Sequence, residues 1–131
     1  MTAFLPREHR IPAHLGELKE ARDFCARMAA EFGLDEDACL EVRLALSEAV
    51  ANAIRHGSSS ADDEVLIMVA GEPGAIIFEV LDTGRFRPRV ARHGDIPESG
   101  RGLEFMRLMM DQVELQPGRD GNRVRMVKRL P

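Results

Sequence analysis

Two β-rich runs joined by a short turn constrain the fold of this chain more than any other feature. The runs are EVLIMVAG and AIIFEVLD, and the turn between them contains Pro73 and Gly74. Val, Ile and Phe favour strands because their side chains pack well on a pleated surface, and a short glycine-containing turn joins antiparallel neighbours. The sequence therefore predicts an antiparallel hairpin whose apolar side has to be covered by the rest of the chain.

Helical spacing of apolar residues marks three further segments. A first helix is predicted in AHLGELKEARDFCARMAAEFG, with Gly33 as its C-terminal stop. A second helix is predicted from the N-cap residue Asp35 to about His56 and is closed by Gly57. A third is predicted in RGLEFMRLMMDQV, after a segment from Gly84 to Ser99 that has no periodicity and that we interpret as a loop.

The remaining segments complete a sheet. Residues 3–11 are predicted to form a first strand, at an edge because Pro6 cannot donate a hydrogen bond to a central ladder. The C-terminal VELQPGRDGNRVRMVKRL is predicted to form two strands around a glycine-containing turn. This order of elements predicts an α/β (α+β) two-layer sandwich, with a mixed, mostly antiparallel sheet and helices on one face. Because the sequence has no repeat and no linker, residues 1–131 are expected to form a single domain.

Composition excludes several classes of function. A net charge of −4 and the absence of Trp and Tyr argue against a direct nucleic-acid partner, which needs a basic surface and stacking platforms. No apolar run approaches the ~20 residues of a membrane span, and the N-terminus lacks the apolar core of a signal peptide. We therefore expect a cytoplasmic protein with no membrane partner. Cys25 and Cys39 fall among apolar residues of predicted helices and are expected to be plain buried thiols.

The segment LSEAVANAIRHG places polar residues inside a predicted helix. Glu48 and Asn52 lie about 40° apart on the side opposite the apolar stripe. Asn is a mediocre helix former, because its short amide competes for backbone hydrogen bonds, so Asn52 between two alanines is a local inconsistency of the kind that marks sites. An ordinary solvated helix face explains the same pattern without any function.

Two glycine motifs further along are candidates for ligand binding. EVLDTGRF ends a strand on Asp82, whose carboxylate can accept a hydrogen bond from a ligand amine, while Gly84 lets the backbone come close. SGRGLEFM places Gly100 and Gly102 at the start of a helix, where free N–H groups and the helix dipole favour a phosphate. A common strand-ending turn and a flexible helix start are the alternatives.

The loop between these two motifs is locally basic. A glycine-bearing basic loop can close over a polyphosphate, dock an acidic partner or simply be solvated surface. Its charged residues are Arg85, Arg87, Arg89 and Arg92, with Arg101 at the far end, against Asp95 and Glu98. The sequence leaves these three interpretations open.

The order of the motifs resembles the ATP-binding signature of the GHKL superfamily. That superfamily includes histidine kinases, Hsp90-like chaperones, gyrase-like ATPases and anti-sigma-factor kinases. The signature is Glu-x-x-x-Asn on a helix, a strand ending in Asp-x-Gly, a variable loop, and Gly-x-Gly-Leu opening a helix. LALSEAVANAIRHG, GRGLEFMRLMMDQVEL and NRVRMVKRL look most like the anti-sigma-factor serine-protein kinases, and the resemblance covers roughly residues 5–130.

The resemblance implies a role for each motif. Glu48 would be the general base toward a protein serine hydroxyl, and Asn52 would give its amide oxygen to Mg²⁺. Asp82 would accept a hydrogen bond from the adenine amino group of ATP. The other implied nucleotide-binding residues are His56 near the phosphates, Gly84 beside the adenine, the backbone of Gly100, Arg101, Gly102 and Leu103 at the phosphates, and Asn122 near the adenine.

The function that the resemblance implies is an anti-sigma factor with Mg-ATP-dependent serine-protein kinase activity. Its partners would be a sigma factor and an anti-anti-sigma antagonist protein of the STAS type, and family members tend to form homodimers. Glu98 stands where some relatives have a basic residue before Gly-x-Gly, so ATP binding is better supported than phosphoryl transfer. The alternative is a non-catalytic partner-switching module that sequesters its partner. A histidine kinase is disfavoured because no phosphoacceptor-histidine hairpin is predicted before the helix of Glu48.

Overall fold

The computed structural model describes residues 6–57, 63–82, 96–118 and 121–131. A 3₁₀ turn (Leu15–Glu17) precedes the first helix, and a π-helical turn (Ala53–Gly57) follows the second. The order of strands and helices is the one that the sequence predicts. The elements are β1 (Arg7–Pro12), α1 (Leu18–Glu31), α2 (Glu36–Asn52), β2 (Glu64–Glu72), β3 (Ala75–Asp82), α3 (Ile96–Met109), β4 (Gln112–Gly118) and β5 (Gly121–Arg129).

The strands form one sheet in the order β1-β2-β3-β5-β4. Every neighbouring pair among the described strands is antiparallel, so the sheet is more uniform than the mixed one that the sequence predicts. β1 lies at an edge, as Pro6 predicts, whereas the predicted start of this strand at residue 3 falls outside the described residues. The turn between β2 and β3 uses Gly74 with a φ of +81°, a conformation that glycine adopts without steric cost.

The connection between α1 and α2 follows the predicted capping residues. Gly33 has a φ of +101°, and its N–H donates to the carbonyl of Ala30 at 3.0 Å, which ends α1. The carboxylate of Asp35 accepts a hydrogen bond from the N–H of Ala38 at 2.8 Å and starts α2. The tight connection sets the two helices side by side.

One apolar core lies between the helices and the sheet. Alternate residues of the strands enter it, so that Val65 and Ile67 of β2 are fully buried while Leu66 between them is half-buried. The helices contribute Leu46 of α2 and Met106 of α3 to the same cluster. None of the helices in the described ranges is long and apolar enough to cross a membrane.

The two cysteines differ in environment. Cys25 of α1 is completely buried, and this burial raises the pKa of its thiol well above the usual range. Cys39 of α2 is only half-buried, and its sulfur donates to the carbonyl of Leu34 at 3.6 Å. The prediction of a plain buried thiol is therefore right for Cys25 and wrong for Cys39, which is only partly buried against the apolar core.

Two helix boundaries differ from the sequence predictions. The α-helical winding of α2 stops at Asn52, and the residues from Ala53 to Gly57 form a π-helical turn instead of continuing the predicted helix. α3 begins at Ile96, inside the segment that the sequence predicts to be a loop up to Ser99. Both differences fall next to candidate site residues, and π-helical turns are frequent at functional sites.

Candidate functional site

The end of β3 and the start of β5 form the first part of the site. Asp82 closes β3 and is only 5% exposed, which makes it the one buried charged side chain in the ranges described. The backbone N–H of Asn122 donates to Oδ1 of Asp82 at 3.1 Å, across the sheet. Asp82, Gly121 and Asn122 are called the strand cluster below.

Gly121 is the member of the strand cluster that the sequence reasoning missed. It has a φ of +139°, and a Cβ at this position would overlap the backbone carbonyl oxygen of Asp82 and lie 2.8 Å from its Oδ1. Only a residue without a side chain allows β5 to approach Asp82 this closely. The available signal was the glycine in the turn before Asn122, which is too common a feature to indicate this contact.

The environment of the Asp82 carboxyl group alters its acidity. Burial raises the pKa of Asp82, the hydrogen bonds from the backbone and side chain of Asn122 lower it, and the nearby carboxylate of Asp63 raises it further. A carboxylate offers about four acceptor positions, and the backbone and side chain of Asn122 use only part of them. The strand cluster therefore presents a desolvated acceptor that a ligand N–H group can satisfy.

The contact between α2 and α3 forms the second part of the site. A Cβ on Gly102 would lie 2.6 Å from Oε1 of Glu48 and 3.2 Å from Nδ2 of Asn52, so α3 crosses directly over these two side chains. Gly102 is buried, whereas Glu48 and Asn52 are half-buried. The structure thus brings together three of the predicted site residues, Glu48, Asn52 and Gly102, which are called the helix cluster below.

The prediction that Gly-x-Gly opens a helix is wrong. Because α3 begins at Ile96, the N–H groups without a partner inside the helix belong to its first turn, where Pro97 has no N–H to offer. Gly100, Arg101 and Gly102 instead lie within the helix, where backbone N–H groups have carbonyl partners one turn earlier. Leu103 packs its side chain against the apolar core. The N-terminus of α3, the end of a helix that favours anions, is therefore one turn earlier in the chain than the sequence predicts.

A pocket of about 440 Å³ opens beside the helix cluster. It is lined by Glu48 and Gly102 together with Arg101, which is exposed, and Phe105, which the sequence reasoning missed. The signal available was an aromatic residue in the predicted third helix of a chain with only 5% aromatic residues. The pocket gives Glu48 a side that is open to a second molecule.

The oxygen atoms of the helix cluster suit a magnesium ion. The described residues contain no group of three or more His, Cys, Asp or Glu side chains that could hold a metal by themselves. Mg²⁺ is instead usually bound by one or two protein oxygen ligands, several waters and the phosphates of a nucleotide. The amide of Asn52 carries one oxygen of this kind, while its Nδ2 and the Oε1 of Glu48 are the atoms that face Gly102.

The remaining predicted residues lie either close in sequence to the helix cluster or outside the described residues. His56 lies in the π-helical turn directly after α2, close in sequence to Asn52. Gly84 and the arginine-rich loop of residues 85–92 fall outside the described residues. The predicted contribution of Gly84 to an adenine site therefore stays a prediction.

The chain matches a known protein family over most of its length. The model of the histidine kinase-like ATPase domain family matches residues 11–128. The chain belongs to this family. The membership in the GHKL superfamily that the order of the motifs predicts is thereby confirmed.

Curated relatives of this histidine kinase-like ATPase domain are anti-sigma factors. The anti-sigma F factor of Clostridium botulinum (strain Eklund 17B / Type B) is 31% identical over 120 residues, which cover 84% of each chain. The anti-sigma F factor of Clostridium acetobutylicum is 30% identical over 109 residues, which cover 74% of this chain and 76% of the relative. The predicted likeness to anti-sigma-factor kinases is confirmed by these similarities.

Solved structures show the same fold. The RsbU and RsbW domains of Rv1364c from Mycobacterium tuberculosis match with a TM-score of 0.75 and 20% identity, over 96% of this chain and 32% of that chain. The histidine kinase domain of the blue-light activated histidine kinase from Erythrobacter litoralis EL346 matches with a TM-score of 0.59 and 18% identity, over 92% of this chain and 62% of that chain. The predicted two-layer α/β fold is therefore confirmed.

Proposed function

We propose that this chain is an anti-sigma factor and a Mg-ATP-dependent serine-protein kinase. It binds a sigma factor and phosphorylates a STAS-type antagonist protein in a partner-switching pathway of the bacterial cytoplasm. The names of the curated relatives support the anti-sigma role. The observation that supports the kinase proposal is the packing of Gly102 on Glu48 and Asn52, because the proposed base and the proposed metal ligand then lie together and Glu48 lines an open pocket.

The strand cluster is proposed to bind the adenine. The amino group of adenine donates hydrogen bonds, and the buried carboxylate of Asp82 is an acceptor that has lost most of its water. Guanine has a carbonyl oxygen at the equivalent position, which the carboxylate would repel. The Asn122 N–H holds one carboxylate oxygen in place, so the acceptor is positioned before the ligand arrives.

The helix cluster is proposed to hold the phosphates and their metal ion. Asn52 supplies an amide oxygen to Mg²⁺, which when bound neutralises charge on the phosphates. The free N–H groups in the first turn of α3, to which Pro97 contributes none, support this turn as the anion-binding end of the helix. Arg101 adds an exposed cation one turn further along.

Glu48 is proposed to be the general base. It accepts the proton of the acceptor serine while the serine oxygen attacks the terminal phosphorus of ATP. The bond from that phosphorus to the bridging oxygen breaks, and ADP leaves with the electron pair. Such proton removal contributes about 10²–10⁴ in rate, and we expect the lower end because phosphoryl transfer depends mainly on positioning and electrostatics.

Single-turnover phosphorylation of a purified STAS-type antagonist tests this proposal. Wild type and Glu48→Gln are compared at saturating Mg-ATP, and the variant is expected to be about 100-fold slower with nearly unchanged ATP affinity. Glu41→Gln is the matched control, since Glu41 lies on the same helix but pairs with Lys128 at 2.9 Å, away from Gly102. Equal rates for wild type and Glu48→Gln would remove Glu48 as the base.

A second function is favoured by one sequence observation. Glu98 precedes the Gly-x-Gly segment where some relatives have a basic residue, which removes a cation from the terminal phosphate. The chain would then be a non-catalytic partner-switching module that acts by sequestration. Binding of the antagonist without any phosphate transfer by wild type would favour this second function.

A further inference from the structure

Lys128, on the last strand, binds the C-terminal end of α3. Its Nζ donates a hydrogen bond to the backbone carbonyl of Met109, the last residue of α3, at 2.6 Å, and another to Oε1 of Glu41 in α2 at 2.9 Å. We propose that Lys128 is a positioning residue for Mg-ATP, because it fixes α3 on α2 and thereby keeps Gly102 against Asn52. The inference rests on the proposed nucleotide site and adds to it a residue outside the strand cluster and the helix cluster.

The surroundings of Lys128 hold its ammonium group in one place. The side chain is only 12% exposed, and a buried ammonium group is costly unless it has partners. The carbonyl of Met109 has no partner inside the helix, because it belongs to the last turn of α3. A cation at the C-terminal end of a helix also interacts favourably with the helix dipole. The ammonium group and the end of α3 therefore stabilise each other.

The backbone of β5 binds the residue that follows the end of α3. The N–H of Asp111 donates to the carbonyl of Val127 at 2.9 Å, and the N–H of Arg129 donates to Oδ2 of Asp111 at 2.7 Å. These two bonds attach the end of α3 to the sheet on either side of Lys128. They do not involve α2, so they fix α3 relative to the sheet, whereas the Lys128 side chain also fixes it relative to α2.

The two polar contacts between α2 and α3 have the same spacing on both helices. Gly102 and Met109 are about two turns apart in α3. Glu48 and Glu41, on the other side of these contacts, are also about two turns apart in α2. Residues at this separation lie on the same face of a helix, so each helix presents both contacts to the other. A shift of α3 at its C-terminal end therefore displaces Gly102 from α2.

The position of α3 affects the proposed metal ligand. A Cβ on Gly102 would lie 3.2 Å from Nδ2 of Asn52, the atom of this side chain nearest to that point. The backbone of α3 therefore limits the rotation of the amide and the direction of its oxygen. Without the bonds from Lys128, the amide loses this restraint. We expect weaker binding of Mg-ATP rather than loss of the fold, since Leu46 and Met106 still pack in the core.

A double-mutant cycle with Lys128→Met and Asn52→Ala tests the inference. Methionine keeps most of the apolar stem of lysine and removes the ammonium group. Calorimetric titration with ATP, in Mg²⁺ and in a chelator, measures the affinity of each variant. Lys128→Met is expected to weaken Mg-ATP binding about tenfold in the wild-type background and less than about twofold in Asn52→Ala, because residues that act through one contact are not additive.

Lys19→Met is the matched control for the loss of a lysine charge. Lys19 lies on α1, its side chain is 77% exposed and it pairs with Asp23 at 3.0 Å, so its loss is expected to leave the ATP affinity within about twofold of wild type. Glu41→Gln keeps α3 in place, because its amide oxygen still accepts from Lys128 and the bond to Met109 remains. Denaturant unfolding checks that each variant is folded, and Lys128→Gln replaces Lys128→Met in the cycle if the latter does not unfold cooperatively.

The outcomes separate the inference from the proposed function. An unchanged Mg-ATP affinity in Lys128→Met, or an equal loss in Lys19→Met, overturns the inference and leaves the nucleotide site in place. Weakening by the same factor with and without Asn52 assigns Lys128 to the stability of the fold, which also overturns the inference. A wild type that binds no ATP, or binds it equally well in Mg²⁺ and in a chelator, overturns the proposed nucleotide site and the inference with it.

Discussion

The strand cluster and the helix cluster are built in different ways. In the strand cluster a buried carboxylate is held by a backbone N–H, and the neighbouring backbone approaches so closely that only glycine fits. In the helix cluster, Glu48 and Asn52 are half-buried side chains that extend from one helix toward a glycine on another. The strand cluster is part of the hydrogen-bonded sheet. The helix cluster consists of side chains at the contact between two packed helices.

This difference predicts where mutations will act. A change in the strand cluster disturbs strand pairing and a buried charge, so it should alter the stability of the fold as well as ligand binding. A change in the helix cluster removes a polar group from a surface that packs without it, so it should alter chemistry and leave stability nearly unchanged.

Gly121→Ala is expected to have the largest effect. The new Cβ would overlap the backbone of Asp82 and would sit at a φ of +139°, so we expect the free energy of unfolding to fall by about 2–4 kcal/mol. Gly74→Ala is the matched control, because Gly74 also has a positive φ but has nothing within 4 Å of the added Cβ. Denaturant unfolding of both variants measures the difference, and an equal loss would show that the contact with Asp82 does not matter.

Asp82→Asn is expected to have a smaller, pH-dependent effect. Because burial raises the pKa of Asp82 above its usual 3.8, the folded state holds this proton more tightly than the unfolded state. Ionisation of Asp82 therefore lowers stability as the pH rises from about 4 through the folded-state pKa. The variant lacks this loss, so its stability relative to wild type should increase over that range in unfolding curves at several pH values.

The same variant tests the ligand role of Asp82. Replacing the charged acceptor by an amide is expected to weaken ATP binding about tenfold or more at neutral pH. Calorimetric titration with Mg-ATP measures this loss. A variant that binds ATP as well as wild type and shows the same pH dependence of stability would contradict both expectations about Asp82.

Asn52→Ala is expected to change stability by no more than about 0.5 kcal/mol, since alanine is the better helix former. It should nevertheless abolish the Mg-dependent part of nucleotide binding. Thermal shifts with ATP, measured with Mg²⁺ and with a chelator, separate the two effects. A loss of several kcal/mol would instead assign Asn52 to a structural network and would remove the contrast between the two clusters.

Gly102→Ala is expected to have the smallest effect on stability. The gain in helix propensity of about 1 kcal/mol offsets the displacement of the Glu48 side chain, whose Oε1 would be 2.6 Å from the new Cβ. The displaced carboxylate should slow phosphate transfer to the antagonist, with an effect comparable to that of Glu48→Gln. An unchanged single-turnover rate would show that the packing of α3 on Glu48 is not needed for the reaction.

Much of the fold followed from local chemistry in the sequence. Gly33 and Asp35 stop and start helices through their own backbone and side-chain preferences, and the hairpin at Gly74 follows from β-branched runs around a turn. The sequence predicts a loop up to Ser99, whereas α3 begins at Ile96 and includes Pro97 in its first turn. Proline is compatible with the first turn of a helix, where its missing N–H has no partner in any case.

The sequence by itself determined the order of the elements, the family signature and most of the residues of both clusters. Only the tertiary structure decided three contacts. Gly121 packs against the backbone of Asp82, Gly102 lies against Glu48, and Phe105 lines the pocket beside Glu48. The physical reason is that periodicity sets the direction of a side chain within its own element. Periodicity does not say which distant segment of backbone will pack against that side chain. The hydrogen bond from Asn122 to Asp82, for example, joins residues that are 40 positions apart in the chain.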